Sequence, residues 1–219
     1  MIFLKISWIS LKRSYKTVEF SKSELNKVKR GAKKATYNKK EIYQILDATE
    51  ICNVAFIFRG RAFVQPINYG RDGDSIYLHG ALKNRMTNAL IESGEASLSV
   101  MLLDAMKLTR SAFHHSVNYR SVTVFGKVSE LKSDVEKLKG LKSIINHFAP
   151  NRWEFCWAPN KNELKAIRVI EIKIETAAAK IANGPIEDKE SDLNLDFWTR
   201  EIPHKTSYFR TIPDNKLNK

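Results

Sequence analysis

Two short segments carry the side chains whose types and spacing could do chemistry. The first is SIYLHGALKNRM at residues 75–86. Read as a strand, it puts Ile76 and Leu78 on one face and Tyr77 and His79 on the other, and Gly80 ends it. A helix over 81–92 begins at once, with Leu82, Met86, Ala89 and Leu90 on one face and Lys83, Asn84 and Arg85 in its first turn. Cations at that end oppose the helix dipole. They make sense if an anion docks there, where unpaired backbone N–H groups already point, and a phosphate is the natural guest. Without a ligand, Lys83 and Arg85 are ordinary solvated residues; the spacing alone leaves both readings open.

The second segment is RSAFHHSVNYRSVTVFG at 110–126. Tyr119, Ser121, Thr123 and Phe125 form one strand face; Arg120, Val122 and Val124 form the other. An arginine in register with two valines belongs at a rim or beside a partner, because burying it alone costs several kcal/mol, on the order of that for any unpaired buried charge. His114 and His115 are adjacent, so on extended backbone they point apart and cannot readily chelate one metal. Either could be a single axial ligand or a ring contact, against a plain packing role.

Other chemistries are not supported. The carboxylates of 187–196 and Glu163 are spread along a C-terminal stretch and a helix cap, not paired for acid–base work. No G-x-S-x-G, H-E-x-x-H or Gly-rich phosphate loop occurs. Nine glycines in 219 residues suit a dinucleotide fingerprint poorly. No catalytic residue is assigned and no bare metal site is expected.

These segments need a frame. A helix is expected near 39–48, with Asn38 as N-cap, Glu41 three residues on, and Ile42, Ile45 and Leu46 as its apolar stripe. Strands are expected at 52–58, 62–69, 75–79, 96–103 and 119–128, with 166–175 as the final one. Arg59-Gly60-Arg61 and Arg71-Asp72-Gly73-Asp74 separate the first three as hairpin turns. A second long helix covers 134–148 behind a Ser133-x-x-Glu136 capping box, with Val135, Leu138, Leu141, Ile144, Ile145 and Phe148 repeating along it. Many short strands with few helices fit an α+β, mainly β, antiparallel barrel; a parallel sheet would need a crossover helix after nearly every strand.

The chain holds 37 basic and 24 acidic residues, a net charge of +13. Such an excess invites a nucleic-acid reading. Its distribution argues otherwise: residues 1–40 hold twelve of the basic side chains against only Glu19 and Glu24. The first 20 residues are basic, amphipathic and acid-poor before Glu19, which reads as a mitochondrial presequence or a disordered extension, and 21–36 reads as charged linker. The expected organisation is a leader and linker at 1–36, a domain at 37–205 and a tail at 206–219. No membrane span, nucleic-acid partner or disulfide framework is expected: apolar runs fall short of the ~18–20 residues a span needs, and Cys52 and Cys156 stand far apart. Trp8, Trp153, Trp157 and Trp198 read as packing or dimer anchors.

The combination YLHG…NRM at 77–86 followed by RSAFHHSVNYRSVTVFG at 110–126 resembles the pyridoxamine 5′-phosphate oxidase-like flavin-binding proteins, in the branch of the 5-nitroimidazole-resistance (nitroimidazole reductase-like) proteins. The likeness runs from Val28 to Pro203 and takes in RGAKKATY (30–37), EIYQILDA (41–48), NELKAIRV (162–169) and AKIANGP (179–185). It implies an FMN-binding split barrel, a Greek-key antiparallel barrel with flanking helices, acting as a homodimer with flavin in the subunit cleft. The family's phosphate element falls on Lys83, Asn84 and Arg85, although many relatives carry serine where this chain has Asn84. Gln65, Pro66, Ile67, Asn68 and Tyr69 fall on the strand lining ribityl and isoalloxazine. His79 and Gly80 fall beside the ring, and Asn118, Tyr119, Arg120 and Ser121 on the segment approaching it. Lys180 and Trp198 match retained positions without a role.

The resemblance implies a cytoplasmic flavoprotein oxidoreductase acting on a small molecule, nitroreductase-like, with FMN as cofactor and FAD as the variant. The alternative is a haem-binding split-barrel protein with His79, His114 or His115 as axial ligand. The substrate-phosphate signature of true pyridoxamine phosphate oxidases is not visible, and the substrate itself stays unassigned.

Overall fold

The computed structural model describes residues 18–207; the basic amphipathic start, including Trp8, and residues 208–219 lie outside them. Helix α1 (Lys39–Leu46) starts as expected. The Asn38 side chain accepts from the Lys40 and Glu41 N–H groups, satisfying two first-turn donors, and Ile42, Ile45 and Leu46 are buried.

Strands β2 (Ile51–Phe58) and β3 (Arg61–Asn68) pair along their whole length. The two residues joining them, Arg59 and Gly60, have φ of 49° and 72°, the left-handed pair that a tight hairpin of matching twist requires. The second turn departs from expectation. It joins a short strand β4 (Gly70–Asp72) to β5 (Ser75–Ala81), not β3 to β5. Tyr69 interrupts the chain between β3 and β4: its side chain is wholly buried and its hydroxyl donates to the Leu46 carbonyl. Gly70 follows because a Cβ there would sit 2.4 Å from the Ile144 backbone nitrogen of α3 (Asp134–Phe148).

Helix α2 (Arg85–Ser93) starts later than expected. Asn84 is the better cap: its side chain accepts from the Thr87 N–H, while its own N–H donates to the Ala81 carbonyl. Lys83 therefore precedes the helix, Arg85 is its first residue, and Leu82 is exposed instead of joining the apolar face. Gly94, at φ 69°, ends it. The three long strands β6 (Glu95–Leu108), β7 (Ser116–Leu131) and β8 (Ile167–Ala182) outrun their expected bounds. Nor is β8 the final strand, since β9 (Arg200–Pro203) returns to pair with β6. Helix α3 carries its Ser133–Glu136 capping box, though Val135 and Phe148, expected on its apolar stripe, are exposed near its two ends. A short α4 (Lys161–Ala166) leads into β8.

The strands form one antiparallel sheet in the order β3-β2-β6-β7-β8-β5-β4, with β1 (Ala35–Thr36) on β8 and β9 on β6. The main core fills its inner face, with Cys52, Val54, Leu98, Val100, Val122, Val124 and Ile172 packed against Ile42, Leu46 and Met86. Strand β5 is buried on both faces. Ile76 and Leu78 enter the main core, whereas Tyr77 joins Leu141, Ile144, Leu164 and Val169 in a second cluster involving α3 and α4. A register shift at Phe125/Gly126 bends β7 against β8, and Gly126 is needed there because a Cβ would meet the Lys173 carbonyl oxygen at 2.3 Å.

The end of the expected leader and the segment expected as a linker pack onto this sheet. Phe20 lies in the main core, and the buried Asn26 donates to Thr176 Oγ1 at 2.5 Å and to the Ala177 carbonyl at 3.3 Å. Of the tryptophans, Trp153 packs on the second cluster, while Trp157 and Trp198 are exposed.

Candidate functional site

The start of α2 gathers the strongest set of polar groups. The Arg85 and Met86 N–H groups stand in the first turn, where no intrahelical acceptor exists; Asn84 has already engaged Thr87. Lys83 and Arg85 are exposed on either side of the cap. The Asn84 side chain lies over Gly80 so closely that a Cβ on Gly80 would come within 3.0 Å of it. A side chain at position 80 would thus push the cap out of place, which is why strand and helix meet at a glycine.

Arg85 also reaches the β2–β3 hairpin. Its guanidinium carbon lies 4.4 Å from the Phe63 ring centroid and 5.2 Å from that of Phe58. These rings were not identified from the sequence; their pairing with Arg85 spans about two strands of chain and leaves no local signature. On β3, Phe63, Gln65 and Ile67 lie opposite Phe56, Val54 and Cys52 and are half-buried. Pro66 takes the other, exposed face, and Asn68 shares its parity but is half-buried. Tyr69 is set apart from this row, enclosed beneath His147 at a centroid distance of 4.6 Å with its hydroxyl held by α1. It positions the strand end and presents no free edge.

His79 shares the face of Tyr77 and lies opposite Val169. Its Nδ1 is buried without a hydrogen-bond partner, and burial pulls the imidazole pKa below its ordinary value. The ring is therefore neutral near pH 7.

Asn118, Tyr119, Arg120 and Ser121 form a separate group on β7. Arg120 has its partner: its guanidinium forks onto Asp104 of β6, at 2.7 Å from Nη2 and 3.0 Å from Nε. That hydrogen bonding raises the Arg120 pKa further. Asn118 is buried and donates to the Gly184 carbonyl at 3.0 Å, leaving its Oδ1 unpartnered. Ser121 lies opposite Lys180, and both line a small cleft with Val28 and Thr123. Among the described residues, no hydrogen bond or ring contact joins this group to the α2 start within one chain.

His114 and His115 do not act together. His114 sits edge-on to Phe113, whereas His115 turns its Nδ1 to the Ser111 carbonyl at 3.1 Å. The described residues hold no group of three or more His, Cys, Asp or Glu able to bind a metal ion. Burial drives the Cys52 thiol up to about 12, so it is inert, and Cys156 is exposed and unpaired. No helix among the described residues is long and apolar enough to cross a membrane.

A family profile for pyridoxamine 5′-phosphate oxidase matches residues 38–181. Among solved structures, a flavocytochrome from Azotobacter vinelandii is 30% identical over 89% of this chain and 90% of its own, with a TM-score of 0.82. An FAD and heme binding protein from Mycobacterium smegmatis is 28% identical over 83% of this chain and 89% of its own, with a TM-score of 0.78. A candidate 5-nitroimidazole antibiotic resistance protein from Bacteroides thetaiotaomicron, 20% identical over 67% and 86%, shares the fold at a TM-score of 0.58. No match is found among curated protein sequences.

Proposed function

Because the chain belongs to the pyridoxamine 5′-phosphate oxidase family and has its split-barrel fold, we propose that it is a flavin-nucleotide-binding oxidoreductase. The observation that carries this reading is the α2 start: two acceptor-free amides, a cap set over Gly80, and Lys83 and Arg85 beside it. That donor set fits a flavin phosphate, with Lys83, Arg85 and the amides of Arg85 and Met86 holding it. Gln65, Pro66, Ile67 and Asn68 would flank the remainder of the cofactor, along with His79 and Gly80. The bound flavin supplies electron transfer; the protein supplies position and electrostatics. His79, neutral and poor in partners, is suited to donate or accept one hydrogen bond there without adding charge. The phosphate is common to FMN and FAD, and the Mycobacterium smegmatis relative is named for FAD.

The same reading calls for a homodimer. In one chain the β7 group stands apart from the α2 start, so a second copy is what would bring Asn118, Tyr119 and Ser121 to the cofactor. Support comes from the outer sheet face, where Ile57, Val64 and Met101 are exposed beside the small side chains Ser97, Ser99 and Thr123. The substrate is a small molecule; the likeness to the nitroimidazole-resistance protein carries the fold alone.

A second cofactor is also part of the proposal. Two solved relatives above 25% identity are named a flavocytochrome and an FAD and heme binding protein, and each is matched over most of its length. The test is the absorbance spectrum of full-length protein as purified and after adding FMN, FAD or hemin. A flavin band, with released flavin identified by mass, supports the reading. Protein that stays colourless and takes up neither flavin overturns it.

A further inference from the structure

Four lysines among the described residues are half-buried or buried: Lys39, Lys107, Lys137 and Lys180. Three of them reach acceptors. Lys39 Nζ lies 2.9 Å from Asp74, Lys107 donates to the Pro185 carbonyl at 3.0 Å, and Lys137 donates to the Leu164 carbonyl at 2.7 Å. Lys180 makes no hydrogen bond or ion pair with any described residue. A half-buried ammonium gives up part of its hydration, and here nothing in the chain returns it. The position calls for an anion from outside.

The surroundings are built to receive one. Lys180 stands on the outer face of β8, between Ser121 of β7 and Ala35 of β1. The segment ahead of β1 crosses over it, and Lys180 Nζ passes beneath Gly31, where an added Cβ would lie 3.6 Å away. This roof is fixed. Asn26 clamps it to β8, the Lys27 N–H donates to the Ser23 carbonyl at 2.9 Å, and the Val28 N–H donates to the Tyr37 hydroxyl at 3.0 Å. Between roof and sheet lies a cleft of about 170 Å³, lined among others by Lys27, Val28, Ser121, Thr123, Phe125 and Lys180. No carboxylate lines it, and the hydroxyls of Ser121 and Thr123 make no hydrogen bond among the described residues.

We infer that this cleft is the subsite for the carboxylate of a small amphipathic substrate, held by Lys180 with Ser121 and Thr123; this rests on the flavoprotein reading, under which a small molecule is the substrate. One sheltered ammonium and two hydroxyl donors match one negative charge spread over two oxygens. Lys27, exposed at the rim, adds attraction, and the same two lysines repel a cationic molecule. The cleft is smaller than the roughly 300–1,000 Å³ of a whole ligand pocket, so it seats a head group. The apolar part of the molecule has Leu25 and Phe125 to lie against, and these two side chains continue into the apolar groove beside Ala55 and Ser97. Ser121 belongs to the β7 group proposed to face the cofactor of a second copy. The cleft therefore opens on the face where cofactor and second copy are proposed to meet.

The experiment titrates the full-length protein, as purified, with benzoate and with its neutral counterpart benzamide, read by saturation-transfer NMR of the probe and by flavin absorbance. Wild type should bind benzoate saturably, with a shift of the flavin band, and benzamide roughly tenfold more weakly, the scale of one hydrogen bond to a charged group. Lys180→Met keeps the apolar stem and removes the charge. It should lose about tenfold in benzoate affinity, with benzamide binding, flavin content and circular dichroism unchanged, whereas Lys180→Arg should keep most of the affinity. Lys27→Met should cost about twofold, as for an exposed charge. Equal benzoate affinity in wild type and Lys180→Met overturns the subsite, and so does a wild type that binds both probes alike or neither. Lys180→Met protein that purifies without flavin also overturns it, assigning the ammonium to the cofactor. Lys180-dependent benzoate binding that leaves the flavin band unmoved overturns the substrate role and leaves an anion site standing. The flavoprotein reading is judged separately, by the flavin band of wild type before any probe is added.

Discussion

The Arg85 guanidinium lies over the Phe63 ring, its central carbon 4.4 Å from the centroid. This contact fastens the first residue of α2 to the edge strand β3 and joins the two parts of the proposed flavin site that come from one chain. Replacing Arg85 by Glu puts a carboxylate where a phosphate is proposed. Flavin should be lost on purification, with the circular dichroism spectrum retained. Phe63→Ala removes the platform together with its stacking on Phe56 at 5.4 Å; the cation–π part is worth about 0.5–1 kcal/mol, so flavin binding should weaken roughly 2- to 5-fold by fluorescence titration.

His79 predicts a pH dependence. Burial lowers its folded-state pKa below the ordinary value of about 6.5. Between the two values the unfolded chain binds a proton that the native state refuses, so stability falls as pH drops through about 6.5 toward the lowered pKa. The melting temperature of wild type should decline over that window more than that of His79→Gln; parallel curves would show that His79 carries no such linkage.

Gly126→Ala should destabilise the barrel without touching any proposed ligand. A Cβ 2.3 Å from the Lys173 carbonyl forces β7 and β8 apart at their register shift. The overpacking cost is about 1–3 kcal/mol, read as a lower urea midpoint with an unchanged slope.

The Arg120–Asp104 pair should matter less than its geometry suggests. Both side chains are more than a third exposed, at 40% and 35%, so Asp104→Asn should cost no more than about 1 kcal/mol. A larger effect on flavin or substrate binding than on stability would mark Arg120 as part of the dimeric site.

Val64→Glu tests the proposed assembly. Val64 is exposed on the outer face of β3, beside Ala55 of β2, and a charge there should turn a dimer into a folded monomer by light scattering. Flavin should be lost with it, since the β7 group of the second copy no longer reaches the cofactor.

Much of this fold is legible in local sequence. The Asn38 cap, the Ser133–Glu136 box and the Arg59-Gly60 turn each rest on neighbours within four residues, and all three form as read. The two parity classes read along β7 also form, with Val122 and Val124 buried and Thr123 exposed. What stayed hidden depends on distant contacts. Nothing near Arg120 announces Asp104, and nothing near Tyr69 announces the Leu46 carbonyl that turns it from a lining residue into an anchor. The start of α2 was misplaced because Leu82 fits the apolar period, yet the Asn84 cap and its turn to Ala81 outweigh one exposed leucine. The stretch beyond β8 reads only as scattered carboxylates, and it carries β9 because β6 runs long enough to receive it.

The placement of Phe20 sets a floor for trimming the chain. Phe20 is a stave of the main core, edge-on to Tyr43 at 6.3 Å, and Glu19 bridges to Asn38. A protease or a designer may take the basic start back to Val18 and leave every described contact standing. One cut further, after Phe20, opens the barrel beside α1, and a cut near Lys29 also removes the Asn26 clamp on β8. A processed form that still folds this way therefore keeps Val18, Glu19, Phe20 and Asn26, which divides the chain's positive charge between a part that can be discarded and a part carried on a segment anchored to the barrel.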